Sequence, residues 1–126
     1  MLMNIIMVHD DHKFIEEAAR ALGLAGHNVV TFGDPMEALT ALENDRFEIL
    51  ITRVRFPPGR PNGVALAQMA LLKRPAIKVV FTLAPENVEY AEDLGKFVVA
   101  PINMLELVAT VTRLADQREP SGGKGG

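Results

Sequence analysis

Glu48–Pro57 has the sequence EILITRVRFP, in which an apolar run ends at the charged residue Arg53. Two further apolar runs also end in polar residues, which are His9, Asp10 and Asp11 after Ile5–Val8, and Thr82 after Lys78–Phe81. If the three runs are parallel strands of one sheet, their carboxyl ends lie at one edge, where open α/β sheets bind ligands. The sequence therefore predicts a crevice that contains carboxylates, a hydroxyl and a guanidinium.

Length and composition limit the chain to one globular domain. It has 126 residues, of which 48% are hydrophobic and 23% charged, enough apolar residues for a core. The net charge of -3 gives no basic footprint for nucleic acid. Cysteine is absent, which excludes disulfides and thiol catalysis. We expect a cytoplasmic location and no membrane partner, because no apolar stretch approaches the roughly 18 residues of a span and no signal-peptide pattern is present.

Strand-like and helix-like segments alternate along the chain. The predicted strands are Asn4–His9, His27–Phe32, Glu48–Arg53, Ile77–Leu83 and Phe97–Val99. The predicted helices are Asp11–Ala25, a helix from Asp34, Val64–Lys73, Pro85–Leu94 and Asn103–Ala115. This order predicts an α/β fold with a parallel sheet covered by helices on both faces, which also explains why the strands lack polar alternation. We expect the domain to span residues 1–118, with 119–126 as a glycine-rich flexible tail.

Two local signals mark helix ends. Asp34 and Pro35 are typical of an N-cap and a first helical residue, and Glu37 completes a pattern like a capping box. Gly26 is typical of the residue that follows a helix. Between the third strand and the third helix, three prolines in Phe56–Gly63 predict an irregular loop.

These segments together resemble a receiver domain of two-component response regulators, over about residues 4–116. The resemblance is carried by Ile5–Asp11, Asp34–Leu42 (DPMEALTAL), Glu48–Pro57, Gly63-Val64, Val79–Thr82 and Phe97–Pro101 (FVVAP). It implies a doubly wound, flavodoxin-like fold with five parallel strands in the order 2-1-3-4-5. It also implies a role in phosphorelay signalling.

The resemblance assigns a role to each polar residue of the crevice. In receivers, an acidic pair after the first strand binds Mg²⁺, and an aspartate at the end of the third strand accepts a phosphoryl group from a histidine kinase. A hydroxyl on the fourth strand and a lysine before a proline on the fifth contact that group, and an aromatic on the fifth strand switches rotamer. The matching positions in this chain are His9 and Asp10 for the acidic pair (or Asp10 and Asp11 after a shift of one residue), Arg53 for the phosphoacceptor, Thr82 for the hydroxyl, Ala100 for the lysine and Phe97 for the aromatic.

The substitutions predict that the phosphorylation chemistry is lost. Arginine stays protonated and has no nucleophilic lone pair, so Arg53 cannot form an acyl phosphate. Mg²⁺ binding is expected to be weak or absent, with Asp10 and Asp11 as the only weak candidates for ligands. We predict that the Arg53 guanidinium fills the pocket and pairs with Asp10 or Asp11. If that pair is buried, removing the arginine should lower stability by about 3–5 kcal/mol. The alternatives are an Arg53 side chain in solvent and an Asp11 that only begins the helix.

The polar run after the first strand does not predict a dedicated metal site. Consecutive residues at a strand end point in different directions, and third and fourth ligands are not evident. His9 is expected to be a buried or half-buried, neutral histidine. Thr82 is equally compatible with a vestigial role and with an ordinary β-branched strand residue, and Phe97 is expected to pack in the core or in an interface.

We therefore predict a degenerate receiver, or pseudo-receiver, that acts through a protein partner and has no enzymatic activity. A second copy of the chain is one candidate partner, bound through the face formed by the fourth helix, fifth strand and fifth helix, where the sequence places Tyr90, Phe97 and Leu105. Two alternatives stay open. One is a receiver phosphorylated at Asp10 or Asp11, and the other is a metal-binding flavodoxin-like domain.

Overall fold

The computed structural model describes residues 2–57 and 62–117, and its central element is a parallel sheet of five strands. The strands are β1 (Asn4–Val8), β2 (Asn28–Phe32), β3 (Ile49–Arg53), β4 (Lys78–Leu83) and β5 (Lys96–Val99). Their order is β2-β1-β3-β4-β5, and every neighbouring pair is parallel. The predicted flavodoxin-like sheet is confirmed.

Helices cover both faces of the sheet, and the sheet separates the core into two layers. They are α1 (His12–Leu24), α2 (Pro35–Asn44), α3 (Asn62–Lys73), α4 (Val88–Ala91) and α5 (Met104–Gln117). Ile5 and Met7 of β1 pack with the layer formed by α1 and α5, whereas Ile6 and Val8 pack with the layer formed by α2, α3 and α4. Successive side chains thus enter opposite cores, and each buried aliphatic side chain contributes about 1.5–3 kcal/mol. This is why the central strands β1 and β3 contain the uninterrupted apolar runs Ile5–Val8 and Ile49–Ile51.

The predicted helix Pro85–Leu94 is wrong as a single element. Pro85–Asn87 forms a 3₁₀ turn, and α4 contains only four residues. Ala91 is the one buried residue of α4, so little packing supports a longer helix. Gly95 follows closely, and its backbone approaches Val79 so tightly that a Cβ would lie 2.3 Å from the Val79 carbonyl oxygen.

The predicted start of the second helix is only partly correct. Asp34 has the extended backbone of an N-cap and Pro35 follows it, but the Asp34 side chain makes no capping hydrogen bond. The capping box therefore does not form. Gly26 does have the positive φ of 96° expected after α1. The predicted tail, 119–126, and residues 58–61 of the proline-rich loop lie outside the described residues. Among the helices that the structure describes, none is long and apolar enough to cross a membrane.

Candidate functional site

The carboxyl ends of three neighbouring strands form a cleft. Thr82 pairs with Arg53 in the register of β4 and β3, and His9 directly follows β1. The cleft has a volume of about 200 Å³, and its lining includes His9, Asp11, Arg53, Thr82 and Ala100. The crevice predicted from the apolar runs is therefore present, with polar side chains of all three runs at its walls.

An ion pair joins Arg53 to the residue that follows His9. The Nη1 atom of Arg53 donates a hydrogen bond of 2.6 Å to Oδ1 of Asp10. Burial of Asp10 opposes its ionisation, but the hydrogen bond and the positive charge of Arg53 outweigh burial and lower the pKa of this carboxyl. The predicted pairing with Asp10 is confirmed.

The Arg53 guanidinium does not fill the cleft as predicted, and the condition that its pair with Asp10 is buried is not met. The Arg53 side chain is 39% exposed and that of Asp10 is 29% exposed. Asp10 lies beyond the end of β1, so the long arginine side chain reaches outward to it and leaves the cleft open. An ion pair that solvent can reach contributes far less to stability than a buried one.

We therefore expect a small effect when Arg53 is replaced by methionine. The free energy of unfolding should fall by about 1 kcal/mol or less, because water screens the remaining Asp10 charge. Urea unfolding of the variant and the parent at neutral pH measures the change. Arg20→Met, at an exposed position of α1, is the matched control. A loss of about 3 kcal/mol or more at Arg53 would mean that the pair is buried in solution.

His9 is a buried, neutral histidine, as predicted. Its ring stacks on Phe14 with a centroid distance of 4.2 Å, and its Nδ1 accepts a 3.0 Å hydrogen bond from the backbone N–H of Asp11. Burial lowers the pKa of His9 to about 4, with a further contribution from the charge of Arg53. The 4.0 Å approach of Nδ1 to Asp10 is consequently not an ion pair at neutral pH.

Asp11 has a structural role at the start of α1. Its Oδ1 accepts hydrogen bonds from the backbone N–H groups of Lys13, at 3.0 Å, and Phe14, at 3.4 Å. This is the geometry of an N-cap, so the interpretation of Asp11 as a helix-start residue is confirmed. Asp10 and Asp11 therefore have different partners, although they are adjacent.

The carboxylates at this site do not fit a magnesium ion. Mg²⁺ needs oxygen ligands in near-octahedral geometry, usually from carboxylates and water. One oxygen of Asp10 already binds a guanidinium, and Oδ1 of Asp11 caps a helix. Within residues 2–57 and 62–117, no three His, Cys, Asp or Glu side chains are grouped to hold a metal. A dication would also be repelled by Arg53.

The remaining predicted pocket residues, Thr82 and Ala100, line the cleft without polar side-chain contacts. Thr82 is buried, and its hydroxyl has no hydrogen-bond partner among the described residues. Ala100 is exposed, its backbone N–H donates to the Leu83 carbonyl at 2.7 Å, and its peptide bond to Pro101 is cis. The methyl side chain of Ala100 brings no charge to the cleft.

The three candidate switch or interface residues differ in exposure. Phe97 is half-buried and packs against the core layer of α2, α3 and α4, as expected for a packing residue. Tyr90 and Leu105 are exposed large residues. Self-association through Tyr90, Phe97 and Leu105 stays a prediction.

Arg55 is a contact residue that the sequence did not single out. Its Nε donates to Oδ1 of Asn87 at 3.2 Å, and its Nη2 donates to the Tyr90 hydroxyl at 3.0 Å. The guanidinium carbon also lies 5.1 Å from the centroid of the Tyr90 ring. Arg55 thereby ties the segment after β3 to the 3₁₀ turn and α4.

Comparisons with known proteins support the fold. No protein-family model and no curated protein sequence matches this chain. Among solved structures, a CheY-like response regulator receiver domain protein from Methanospirillum hungatei superposes with a TM-score of 0.84 at 23% sequence identity, covering 97% of this chain and 100% of that one.

Two other solved structures agree with that comparison. A response regulator receiver domain protein from Clostridium thermocellum gives a TM-score of 0.82 at 14% identity, covering 93% of this chain and 97% of that one. The receiver domain of the Francisella response regulator 1452 gives 0.79 at 16% identity, covering 93% and 99%. The strand order, the helices on both faces and these superpositions lead to one conclusion: the chain has the fold of a response-regulator receiver domain.

Proposed function

We propose that the chain is a receiver-like signalling module of a two-component system that acts by protein–protein contacts, without phosphoryl transfer to residue 53. The observation that supports this most is the contact between Arg53, at the carboxyl end of β3, and Asp10. A guanidinium has no lone pair for attack on phosphorus, so the side chain at this position is not a phosphoacceptor. The similarity of the fold to response-regulator receiver domains supports a role in two-component signalling.

The ion pair also makes a metal ion unnecessary at this site. Carboxylates crowded in a receiver pocket repel each other, and a cation relieves that repulsion. Here the Arg53 guanidinium is the cation that lies 2.6 Å from Asp10. With Ala100 in place of a lysine, no second cation competes for this carboxylate from the end of β5. We propose no Mg²⁺ requirement and no enzymatic activity, and we infer that one pocket conformation persists.

The module would work in the cytoplasm, through a protein partner and without nucleic acid. The net charge of -3 supports the latter inference. A homodimer through α4, β5 and α5 remains one candidate, with Tyr90, Phe97 and Leu105 as its contact residues.

Intact-mass spectrometry after incubation with acetyl phosphate and Mg²⁺ tests the proposal. We expect no gain of mass, because the residue at the end of β3 cannot form an acyl phosphate. A receiver with an intact aspartate, treated in parallel, shows that the donor is active. A stoichiometric gain of one phosphoryl group would overturn the proposal.

The same measurement addresses phosphorylation at another carboxylate. Asp10 is bonded to Arg53 and Asp11 caps α1, so each carboxylate already accepts hydrogen bonds that attack on phosphorus would weaken. A phosphoryl group that disappears in Asp10→Asn or in Asp11→Asn would assign the modified residue. The chain would then be a working receiver with a displaced acceptor.

A further inference from the structure

An apolar groove runs between the amino-terminal halves of α2 and α3. Its volume is about 200 Å³, and its lining includes Asp34, Met36, Leu39, Leu66 and Met69. Leu66 is part of the core, whereas Met36 is 67% and Met69 41% exposed. The α2/α3 groove therefore has a fixed apolar floor and two flexible methionines at its mouth.

The outer side of α3 is unusually apolar for a surface helix. No charged residue occurs from Asn62 to Leu72, and the first one, Lys73, pairs with Glu43 of α2 at 3.3 Å. The exposed apolar residues of α3 are Ala65, Met69 and Leu72, of which Leu72 is 83% exposed, and they lie beside the exposed polar residues Asn62, Gln68 and Lys73. A surface helix normally turns a polar face to water, so an apolar outer face is typical of a surface that binds another molecule.

The α2 side of the groove has acidic residues at one end, which is the amino-terminal end of the helix. From Asp34 to Asp45, four residues are acidic and none is basic. Asp34 and Glu37 are exposed at the amino-terminal end of α2, and neither forms an ion pair within the part of the chain that the structure describes. The missing capping bond leaves the Asp34 carboxylate, which lines the groove, available to a partner.

We propose that the α2/α3 groove binds an amphipathic helix of a partner protein, with an apolar face on the methionines and a lysine or arginine edge on Asp34 and Glu37. Helices dock into apolar grooves through such faces, and methionine adapts to varied apolar side chains. The acidic rim selects a basic edge and repels an acidic one. This inference rests on the proposed function, since it names the surface and the class of partner for phosphorylation-independent contacts.

Two synthetic helical peptides with the same leucine positions test the charge preference, one with lysine and one with glutamate at the polar positions. We titrate each into the ¹⁵N-labelled full chain and follow backbone amide shifts. The lysine peptide should cause saturable shifts in residues 34–39 and 62–69 and bind at least about tenfold more tightly than the glutamate peptide. Added salt should reduce this difference.

Three variants separate groove binding from unspecific adhesion. Met69→Lys places a cation at the groove and should weaken the lysine peptide at least about tenfold. The double variant Asp34→Asn/Glu37→Gln should weaken the lysine peptide but not the glutamate peptide. Leu24→Lys, at an exposed leucine of α1, is the matched control and should leave both affinities unchanged. All replaced side chains are exposed, so each variant should fold and should unfold on heating at about the same temperature as the parent.

Several outcomes would overturn the inference. These are shifts that map to α5 instead of the groove, equal binding of both peptides, or an equal loss in Leu24→Lys and Met69→Lys. A concentration-dependent dimer that Met69→Lys abolishes would assign the groove to a second copy instead. The phosphoryl test is independent: absence of peptide binding leaves a negative mass result intact, and a gain of phosphate leaves peptide binding intact.

Discussion

Replacing Gly63 with alanine should destabilise the fold by about 3 kcal/mol or more. Gly63 lies at the start of α3, where its backbone N–H donates to the Val54 carbonyl at 3.0 Å. A Cβ at this position would lie 1.6 Å from the carbonyl oxygen of Arg53 and 2.7 Å from its carbonyl carbon. Both atoms belong to the backbone, so relief requires α3 or the end of β3 to move. Urea unfolding monitored by circular dichroism measures the loss.

The matched control for this change is Gly23→Ala. Gly23 lies inside α1, and a Cβ there would have no neighbour within 4 Å. Alanine should therefore stabilise the chain by up to about 1 kcal/mol through its higher helix propensity. The two substitutions have opposite expected signs although the chemical change is the same. A Gly63→Ala variant as stable as the parent would show that α3 does not approach Arg53 this closely in solution.

The parts of the fold that local chemistry determines could be predicted from the sequence. Strands buried on both faces contain uninterrupted apolar runs, so β1 and β3 were visible in the sequence through Ile5–Val8 and Ile49–Ile51. Parallel connection then placed Arg53 near Asp10 and Asp11, because the carboxyl ends of such strands meet. Chain order and opposite charges therefore predicted an ion pair with one of these two residues, and the structure shows that it is Asp10.

Features that depend on long-range packing could not be predicted in this way. Arg55 and Tyr90 are 35 residues apart, and their contact requires the actual position of the short α4. The exposure of the Arg53–Asp10 pair depends on how far each side chain extends beyond its strand, which strand order does not specify. Asp34 has both the favoured residue type and the extended backbone of a cap, yet its carboxylate makes no capping hydrogen bond, which residue type alone does not specify.

Acidification should destabilise the chain through His9. Burial, and secondly the charge of Arg53, lowers the pKa of His9 to about 4 in the folded chain, whereas the unfolded chain keeps a value of about 6.5. Between these values the unfolded state binds a proton that the folded state does not. The full stability is present above about pH 6.5, and about 3 kcal/mol is lost by about pH 4. Denaturant unfolding at a series of pH values measures this loss.

A comparison of histidine variants assigns the effect to one residue. Between pH 7 and pH 5 the parent should lose about 2 kcal/mol through His9, and His9→Gln should lose correspondingly less. His27, whose pKa burial also lowers, acts in the same direction, so some pH dependence should remain in that variant. Asp10 does not interfere, because its lowered pKa reduces stability only at more acidic pH. His12→Gln, at an exposed position of α1, should behave as the parent. If His9→Gln lost as much stability as the parent over this interval, His9 would have to be solvated and protonated in the folded chain, in conflict with its stacking on Phe14.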